Sequence, residues 1–600
     1  MLGLVDRVRR ETAALTGLMR GLRLSSPVGK HPNRTFPDVI AELAAQHGPR
    51  PALLSDGERF TYAELDARAN RYARWARAQG LAKGDAVALL MPNRPDYFAL
   101  WLGVIRAGGA VALLNTNLAG AGLAHCIDIV RPKHVIVAAP LMAAFETVRS
   151  RLGSGPKVWA DGDARTADAR IDLVVAEMDG TPLGPGEKPA LTIEDRALYI
   201  YTSGTTGLPK AANINHYRLM IATHGFAGVM NTKPSDRMYV ALPMYHTVGG
   251  VIAVGAPLVG GGSVVIREKF SAREFWDDIV RWDCTLFQYV GELCRYLVNA
   301  PPSEAEKHHH VRLCCGNGLR PDIWPTFVER FRIPEIREFY AATEGNVALF
   351  NFDNTPGAVG RIPWWAERRF PVKVIRFDVE TEQPVRGPDG RCIECAPDEV
   401  GELIGEVLND PSKPANRFEG YADRAETERK ILHDVFAPGD TWFRTGDLMR
   451  KDRRGYFFFI DRVGDTYRWK GENVATTQVA EMLTGVPGVK EANVYGVAVP
   501  GADGRAGMAA LVVDPTFDWD TLYRRVNDEL PAYARPLFVR LLPQMDLTGT
   551  FKPRKTELVR DGFDPIAVKD ELRFDDAASG RFEPLTPALY ARIAAQQVRL

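Results

Sequence analysis

The ten residues Tyr201-Thr-Ser-Gly-Thr-Thr-Gly-Leu-Pro-Lys210 decide how this sequence folds and what it binds. They follow the apolar run 197–201, which predicts a β-strand. Glycines leave backbone N–H groups accessible, and the hydroxyls and the lysine add donors, so this loop predicts a phosphate cradle. The residues expected to bind the phosphates are Thr202, Ser203, Gly204, Thr205, Thr206, Gly207 and Lys210.

The loop is not a Walker A motif. That motif needs Gly-Lys-Ser/Thr in series, whereas Leu208 and Pro209 separate Gly207 from Lys210, and Ala211 follows. An accidental turn rich in serine and threonine is the alternative, but the length of the run argues against it. The sequence therefore predicts a nucleotide-binding loop of another class.

Short apolar runs alternate with helix-length amphipathic segments on both sides of this loop. Predicted strands lie at 86–90, 110–114, 134–138, 197–201, 238–242, 264–266, 285–290 and 311–314, with helices at 97–106 and 118–130 between the first three. This alternation predicts βαβ units and largely parallel sheets. After a strand at 456–460, a smaller α+β pattern follows: helices 477–483 and 520–530, and strands 491–499, 508–513 and 537–542.

We therefore expect an α/β fold with a large N-terminal domain of layered, mostly parallel sheets flanked by helices, and a small α+β C-terminal domain. The predicted organisation is an amphipathic N-terminal segment (1–34), the large N-terminal domain (35–460), a hinge (461–465) and the small C-terminal domain (466–600).

Composition limits the classes of function. The 600 residues contain 75 Lys and Arg against 75 Asp and Glu, which argues against a dedicated nucleic-acid binder and favours small-molecule partners. Seven cysteines, an odd number, make a poor disulfide framework and fit a reducing compartment. No signal peptide is recognisable. We therefore expect a cytoplasmic protein.

The first 30 residues carry six basic and two acidic side chains. Apolar residues recur there at helical spacing: Leu4, Val8, Leu15, Leu18, Met19 and Leu22. The pattern predicts a basic amphipathic helix, which either associates peripherally with the cytoplasmic face of a membrane or packs on its own domain.

The run 248–266 has no charged residue, but seven of its residues are glycine or proline. That composition favours a short buried helix, a glycine turn and a strand at 263–266 over a membrane span.

Four further motifs occur in order along the chain: Tyr340-Ala-Ala-Thr-Glu-Gly345, Phe443-Arg-Thr-Gly-Asp447, Asp461-Arg462 and Leu547-Thr-Gly-Thr-Phe-Lys552. Together with the loop, they resemble the adenylate-forming superfamily of acyl-CoA synthetases, luciferases and peptide-synthetase adenylation domains. Taken singly they are weak, because Asp447 could cap a turn, Arg462 could be a surface ion pair and Lys552 could be solvated.

The resemblance implies a function for each matching residue. Tyr340, followed by Ala341, would stack on adenine, Thr343 would meet the α-phosphate, and Glu344 with Thr205 would hold Mg²⁺. Asp447 and Arg462 would bind the ribose, Lys552 would act in adenylation, and Gly471 would face coenzyme A. The resemblance further implies that residues 35–460 form the AMP-binding domain. Residues 466–600 would form a mobile lid domain with a C-terminal extension, and Gly464 would lie at its hinge.

Arg462-Val-Gly-Asp-Thr-Tyr-Arg-Trp-Lys-Gly-Glu-Asn-Val474 resembles the signature of the fatty acid transport protein and very-long-chain acyl-CoA synthetase branch. Gly464 replaces the usual hinge aspartate or lysine, and Phe551 replaces the usual glycine before the catalytic lysine. The resemblance implies ATP-dependent activation of a long- or very-long-chain fatty acid to acyl-AMP and then acyl-CoA, with release of AMP and pyrophosphate.

Three alternatives stay open. The first is a CoA ligase for a bile acid, a carnitine-type acid or an aromatic acid. The second is a membrane-associated fatty-acid uptake protein that acts by vectorial acylation, and the third is a non-enzymatic lipid-binding protein.

Pro243-Met-Tyr-His-Thr247 resembles the superfamily motif that lies between nucleotide and acyl pocket. His246 would orient the carboxylate or gate the acyl tunnel, and a packed histidine without a direct role is the alternative. We expect the run 248–258 to line that tunnel, with Gly249 and Gly250 leaving room for methylene groups.

Overall fold

The computed structural model describes residues 2–153, 155–202, 209–379, 381–408, 417–470, 472–502, 504–548, 553–598 and 600. The chain forms two compact units. The larger comprises Met1–Phe370, Gly405–Leu432 and Thr441–Phe443, and the smaller comprises Pro371–Ile404, His433–Asp440 and Arg444–Leu600. The predicted domain limits and the hinge at 461–465 remain predictions, because the existence of two compact units does not show which segment moves.

The helices are α1 Leu2–Ser25, α2 Phe36–His47, α3 Tyr62–Ala78, α4 Pro95–Arg106, α5 Gly120–Asp128, α6 Met142–Arg149, α7 Ile171–Ala176, α8 His216–Met230, α9 Ala253–Val259, α10 Phe275–Arg281, α11 Gly291–Asn299, α12 Trp324–Phe331, α13 Arg424–Glu428, α14 Thr476–Thr484, α15 Trp519–Glu529, α16 Thr556–Asp561 and α17 Pro587–Ala594. Short 3₁₀ helices cover Val28–Lys30, Ala139–Leu141, Glu304–Lys307 and Trp364–Ala366, and a π-helix covers Thr247–Ile252.

The first sixteen strands are β1 Pro51–Leu54, β2 Arg59–Thr61, β3 Ala86–Leu90, β4 Ala110–Leu113, β5 His134–Ala138, β6 Lys157–Asp161, β7 Ala169–Arg170, β8 Arg196–Thr202, β9 Lys210–Asn215, β10 Arg237–Val240, β11 Ser263–Ile266, β12 Leu286–Val290, β13 Leu313–Asn317, β14 Glu335–Ala341, β15 Ala348–Phe350 and β16 Ala358–Arg361. They are followed by β17 Val372–Ile375, β18 Phe377–Asp378, β19 Gln383–Pro384, β20 Val400–Glu406, β21 Ile431–His433, β22 Thr441–Lys451, β23 Tyr456–Arg462, β24 Tyr467–Trp469, β25 Glu472–Val474, β26 Val489–Val497, β27 Ala506–Val513, β28 Phe538–Leu541, β29 Leu572–Asp576 and β30 Arg581–Pro584.

The larger unit contains two mostly parallel sheets, as the sequence predicts. One has the strand order β15-β14-β13-β12-β10-β11-β1-β2 and the other β7-β6-β5-β3-β4-β8-β9. Antiparallel pairing occurs at β1–β2, β14–β15 and β8–β9. Strands such as β3 are buried along their whole length because helices cover both faces, which explains their uninterrupted apolar sequences.

The main core of the larger unit lies where α2, α3 and α4 pack together. Phe98 and Trp101 of α4 meet edge to face with ring centroids 4.5 Å apart, and Phe36 of α2 stacks on Trp101 at 6.0 Å. Each aromatic ring buried in this way stabilises the fold by about 1.5–3 kcal/mol. This packing supports the sheet that carries the candidate phosphate loop at its β8–β9 edge.

The uncharged run 248–266 folds as the π-helix Thr247–Ile252, the buried helix α9, a turn with Gly261 at φ +76° and the strand β11. The prediction of a buried helix, a glycine turn and a strand is therefore confirmed. Within the part of the chain that the structure describes, no helix is both long and apolar enough to cross a membrane.

The expectation that Gly249 and Gly250 leave room for methylene groups is wrong. A Cβ atom at Gly249 would collide with the carbonyl oxygen of Pro243, and one at Gly250 with that of Met244. These glycines are required because the chain's own backbone passes against them.

The smaller unit contains a sheet in which β17, β20, β22 and β23 are successive neighbours, and a five-stranded sheet with the order β26-β27-β28-β29-β30. Helices α14 and α15 pack on the second sheet through buried residues such as Leu483, Leu522 and Val526. The predicted C-terminal α+β pattern is confirmed, with element limits shifted by one to two residues.

Helix α1 packs along α8. Gly228 of α8 lies so close to the α1 backbone that a Cβ there would meet the Arg20 carbonyl oxygen at 2.5 Å, and Arg20 Nε donates to the Gly228 carbonyl at 3.2 Å. One face of the predicted amphipathic helix therefore packs on its own unit, and the opposite face is exposed.

Candidate functional site

The predicted phosphate loop connects two paired strand ends. Thr202, the last residue of β8, lies opposite Lys210, the first residue of β9. Ser203, Gly204, Thr205, Thr206 and Gly207 lie outside the described residues, so their predicted contacts stay predictions. The β8–β9 hairpin nevertheless fixes both ends of the loop at the carboxyl end of β8, the position at which parallel sheets bind ligands.

Lys210 is buried and forms an ion pair with the carboxylate of Glu426 in α13. Its Nζ also lies 5.7 Å from the ring centroid of Tyr421. A lysine held by a carboxylate and an aromatic ring has a defined position at the first residue of β9, where the predicted loop ends.

Tyr421 connects the two predicted nucleotide motifs of the larger unit. The segment around it runs along β9, with Ala422 N donating to the Ala211 carbonyl at 2.9 Å. The Tyr421 hydroxyl donates to Glu344 Oε1 at 2.5 Å. Burial, and then the Glu344 carboxylate, raise the pKa of Tyr421, which keeps its hydroxyl protonated as a donor.

Arg218 holds the backbone on both sides of Glu344. Its Nη2 donates to the carbonyl oxygens of Thr343 at 2.8 Å and Gly345 at 2.6 Å. The Asn215 side chain, which caps α8, accepts from the Arg218 backbone N–H at 2.9 Å and so fixes where the arginine side chain begins.

Thr343 is fixed by a second contact, because Thr247 Oγ1 donates to Thr343 Oγ1 at 3.1 Å. This contact brings the segment after His246 to the loop that contains Glu344. His246 immediately precedes the π-helix, with its ring centroid 4.6 Å from that of Tyr245. Both the placement of His246 near the reacting carboxylate and its function stay predictions.

Tyr340 and Ala341 end strand β14, and Tyr340 is half-buried. Two residues earlier, on the same face of the strand, the buried Glu338 accepts the backbone N–H groups of Gly318 at 3.1 Å and Leu319 at 2.5 Å. Burial raises the Glu338 pKa to about 8, against the lowering effect of these hydrogen bonds. Glu338 thereby attaches the backbone of residues 318 and 319, which follow β13, to the same face of β14 as Tyr340.

The smaller unit carries the predicted ribose-binding pair. Asp447 in β22 lies directly opposite Arg462 in β23, and Arg462 Nε is 3.9 Å from Asp447 Oδ1. The Arg462 side chain is 45% exposed, whereas that of Asp447 is 16% exposed. The two residues predicted to bind the ribose are thus neighbours within this unit, and their function stays a prediction.

The predicted hinge region is attached to helix α14. The buried Asp461 carboxylate accepts from Thr476 N at 2.5 Å and Thr476 Oγ1 at 2.9 Å, and burial raises its pKa. Gly464 has no positive φ, and a Cβ there would meet no atom within 4 Å. This conformation therefore does not itself require glycine at position 464, and Gly471 and Lys552 lie outside the described residues.

The structure brings Lys210 and Glu344 together through Tyr421, and it adds Arg218, Glu338, Tyr421 and Glu426 to the residues that the sequence singles out. Sequence reasoning missed these four because none belongs to a recognised motif. The only available signal was the aromatic and glycine-containing segment Phe418-Glu-Gly-Tyr421, which is weak by itself.

The side chains around Glu344 determine whether a metal ion could bind there. Among the described residues, no group of three or more His, Cys, Asp or Glu side chains is placed to hold a metal. Glu344 offers one buried carboxylate, and Mg²⁺ is commonly bound by one or two carboxylates together with water and substrate phosphates. The residues present therefore fit Mg²⁺ that arrives with a nucleotide.

Two family models match the chain. Residues 40–404, more than half of the chain, match the model described as AMP-binding enzyme, and residues 478–552 match the AMP-binding enzyme C-terminal domain.

Curated relatives match nearly the whole chain. Mouse long-chain fatty acid transport protein 1 is 42% identical over 597 residues, covering 98% of this chain and 91% of the relative. Rat long-chain fatty acid transport protein 2 is 40% identical, with 95% and 92% covered, and human long-chain fatty acid transport protein 3 is 41% identical, with 94% and 90% covered.

Solved structures share the fold. An anthranilate CoA ligase in complex with anthranoyl-AMP superposes with a TM-score of 0.74 at 19% identity, covering 87% of this chain and 96% of the ligase. A Mycobacterium tuberculosis fatty acyl CoA synthetase gives a TM-score of 0.62 at 24% identity, with 88% and 98% covered. At these identities the likeness establishes the adenylate-forming fold, a large α/β unit with mostly parallel sheets and a smaller unit.

Proposed function

We propose, from the premise that this chain belongs to the AMP-binding enzyme family and to its fatty acid transport protein branch, that it is a long-chain fatty acid–CoA ligase. It would use ATP to convert a long- or very-long-chain fatty acid to acyl-AMP and then to acyl-CoA, releasing pyrophosphate and AMP. The observation that supports this most is the contact network that holds Lys210, Thr343 and Glu344 around the ends of the phosphate loop.

The first half-reaction forms the acyl-adenylate. A carboxylate does not react with a thiol because its leaving group would be oxide, so the acid oxygen must first attack the α-phosphate of ATP. Both reactants are anions, and catalysis depends on positioning and charge neutralisation. Lys210, Thr343 and the donors of residues 202–207 would hold the phosphates, and Lys552 would neutralise charge at the reacting carboxylate and phosphate.

Glu344, with Thr205, would hold the Mg²⁺ that accompanies ATP, and the ion would supply further neutralisation of phosphate charge when bound. Tyr421 and Arg218 would keep the Glu344 carboxylate in place for this purpose.

The second half-reaction transfers the acyl group to coenzyme A. The acyl-adenylate is prone to hydrolysis, so water must be excluded until the thiol arrives. We propose that the smaller unit rotates about the segment 461–465 between the half-reactions, withdrawing Lys552 and presenting Gly471 to the pantetheine arm. Asp447 and Arg462 would bind the ribose hydroxyls.

The long-chain substrate is proposed from the branch to which the chain belongs. The run 248–258, which directly follows His246, would line the acyl tunnel, and each methylene buried there would add about 0.8 kcal/mol to binding. A ligase for a bile acid, a carnitine-type acid or an aromatic acid would retain every nucleotide contact and differ only in this pocket.

We also propose that the protein works in the cytoplasm, in contact with the cytoplasmic face of a membrane. Fatty-acid uptake would then follow from trapping the acid as its CoA ester.

The test is AMP release that depends on coenzyme A, measured with a panel of acids of graded chain length. We expect kcat/KM to rise steeply toward C16 and longer acids. Equal or better turnover of acetate, benzoate or carnitine would overturn the long-chain assignment, and no release of AMP with any acid would overturn the ligase assignment.

A further inference from the structure

Large apolar side chains exposed on the larger unit are concentrated in one place. Of the ten such residues among those described, five belong to α1 and two are Trp364 and Trp365. On α1, the set that we call the apolar stripe comprises Val5 (66% exposed), Val8 (57%), Leu15 (49%) and Met19 (58%). Trp364, at 73% exposed, is unusual because a ring of this size normally finds a partner.

The stripe and the tryptophans are neighbours. Val8, Glu11 and Leu15 lie at i, i+3 and i+7, which places them on one face of the helix. The Glu11 carboxylate accepts from Trp365 Nε1 at 2.9 Å and forms an ion pair with Arg361. Because Glu11 lies between Val8 and Leu15, the segment 363–369, which carries both tryptophans, lies against the edge of the apolar stripe.

Helix α1 is held in place by contacts at the edge of the apolar stripe and by contacts on its opposite face. Burial would raise the pKa of Glu11, but hydrogen bonds from Arg361 and Trp365 outweigh it and lower the pKa, so Glu11 stays charged and bound. On the opposite face of α1, Gly17 lies so close to the Phe352 ring that a Cβ would collide with it, and Gly21 faces the Gly225 carbonyl of α8. The helix therefore presents its stripe without having to fold on a partner.

The charged residues around the apolar stripe indicate the chemistry of its partner. Five exposed basic residues belong to α1 and the segment 363–369: Arg7, Arg9, Arg23, Arg368 and Arg369. Two exposed acidic residues, Asp6 and Glu367, oppose them, and Asp6 is paired with Arg10 at 2.7 Å. The surface is the convex outer side of a helix and not a groove, so it suits a broad, soft and negatively charged partner better than an inserted peptide.

We propose that the apolar stripe and the segment 363–369 form one surface that docks on an anionic lipid bilayer. Val5, Val8, Leu15, Met19 and Trp364 would enter the boundary between headgroups and acyl chains, where tryptophan and short apolar side chains are favoured, and the arginines would meet lipid phosphates. The inference rests on the membrane contact proposed above and names the residues that make it, and it would hold whichever acid the enzyme activates.

The test is co-sedimentation of the full chain with vesicles of phosphatidylcholine alone and of phosphatidylcholine with 30 mol% phosphatidylglycerol. We expect binding only to the anionic vesicles. Val8→Ser with Leu15→Ser should reduce the partition coefficient about tenfold or more, because each exposed apolar side chain contributes its own transfer free energy. Trp364→Ala should reduce it several-fold, and Arg368→Gln with Arg369→Gln should remove most of the preference for anionic lipid.

Leu173→Ser and Val280→Ser are the matched controls, because both residues are exposed and apolar on the same unit but belong to other helices, and they should bind as the unaltered protein does. Circular dichroism and AMP release with a soluble acid in the absence of vesicles verify that each variant is folded. Stripe variants that bind vesicles like the controls would overturn the proposal. The proposal would also be overturned if the unaltered protein bound neither kind of vesicle. A change of oligomeric state in the stripe variants would then assign the surface to a second copy of the chain.

Discussion

The contacts around the predicted phosphate-binding residues of the larger unit and the predicted ribose-binding pair of the smaller unit differ in how firmly they are held. In the larger unit, Glu344 is buried, its carboxylate accepts from Tyr421, and its neighbouring carbonyls accept from Arg218. In the smaller unit, Arg462 is 45% exposed and lies 3.9 Å from Asp447. Buried hydrogen bonds to charged groups contribute about 1.5–3 kcal/mol, whereas exposed ion pairs contribute about 0–1 kcal/mol.

This difference indicates a division of labour. Groups that neutralise phosphate charge are most effective when they are fixed before the reaction, because no reorganisation is then needed in the transition state. Groups that only bind the ribose can be ordered by the nucleotide itself. We therefore expect substitutions in the larger unit to lower kcat and those at the ribose pair to raise KM.

The largest effects are expected from Lys552→Ala and Gly471→Leu, which test whether the smaller unit acts differently in the two half-reactions. If the smaller unit carries Lys552 in one half-reaction only, Lys552→Ala should lower pyrophosphate exchange by ~10²-fold or more, as expected for removing a main electrostatic group. It should still convert supplied acyl-adenylate and coenzyme A to thioester. Gly471→Leu should show the opposite pattern, because a side chain there would obstruct the pantetheine arm.

Each variant serves as the control for the other, since both carry one substitution in the same unit. Equal loss of both half-reactions in both folded variants would mean that the site is fixed and that the smaller unit does not alternate between the two steps.

The second test of this comparison concerns Arg218, which we propose as a positioning residue. Arg218→Ala removes both hydrogen bonds to the Thr343 and Gly345 carbonyls and should lower kcat for adenylation about 10- to 100-fold, the equivalent of about 1.5–3 kcal/mol. Arg218→Lys keeps the charge but loses the planar guanidinium fork, so its kcat should lie between that of the unaltered protein and that of Arg218→Ala. The readout that separates positioning from simple destabilisation is the dependence on Mg²⁺, which should shift to higher concentration.

Arg417→Ala is the matched control, because Arg417 forms a partly exposed ion pair with Glu194 at 2.7 Å in the same unit. Its kcat and Mg²⁺ dependence should stay within about twofold of the unaltered protein, as expected for a surface pair. An Arg218→Ala variant whose melting temperature falls while its Mg²⁺ dependence is unchanged would show that Arg218 only stabilises the fold.

Much of the fold follows from local sequence. The runs 86–90 and 134–138 become β3 and β5 with the predicted limits, because a strand buried on both faces must be apolar throughout. The run 197–201 becomes part of β8, as predicted, because it is apolar and buried. The adenylate-forming family and fold that the motifs predict are confirmed by the family models and the fold comparison.

The residues that sequence reasoning missed act through tertiary contacts. Tyr421 meets Glu344 across 77 positions, and Arg218 meets Thr343 across 125, so neither spacing forms a motif. Gly249 and Gly250 show the opposite failure: their type was noticed, but what approaches them is backbone from Pro243 and Met244. Periodicity reports which face of an element is buried and not which distant segment covers it.

Arg462→Ala should have the smallest effect. It tests most directly whether the predicted ribose-binding pair is held less firmly than the contacts around Glu344. The loss of an ion pair at 3.9 Å costs about 0–1 kcal/mol of stability, so the melting temperature should fall by at most about 2–4 °C. If the arginine binds the ribose of ATP, KM for ATP should rise about fivefold, in line with one exposed hydrogen bond of about 1 kcal/mol, while kcat changes little.

Arg450→Ala tests whether this effect is specific to position 462. Arg450 lies on the partner strand β22 and forms a similarly exposed pair with Asp398 at 2.5 Å, so its loss should disturb the sheet equally but leave KM for ATP unchanged. A rise in KM for both variants would attribute the effect to the strands and not to the ribose. If Arg462→Ala instead lowers kcat by as much as Arg218→Ala does, the ribose side is as firmly involved in the transition state as the phosphate side, and the division of labour between the two units is wrong.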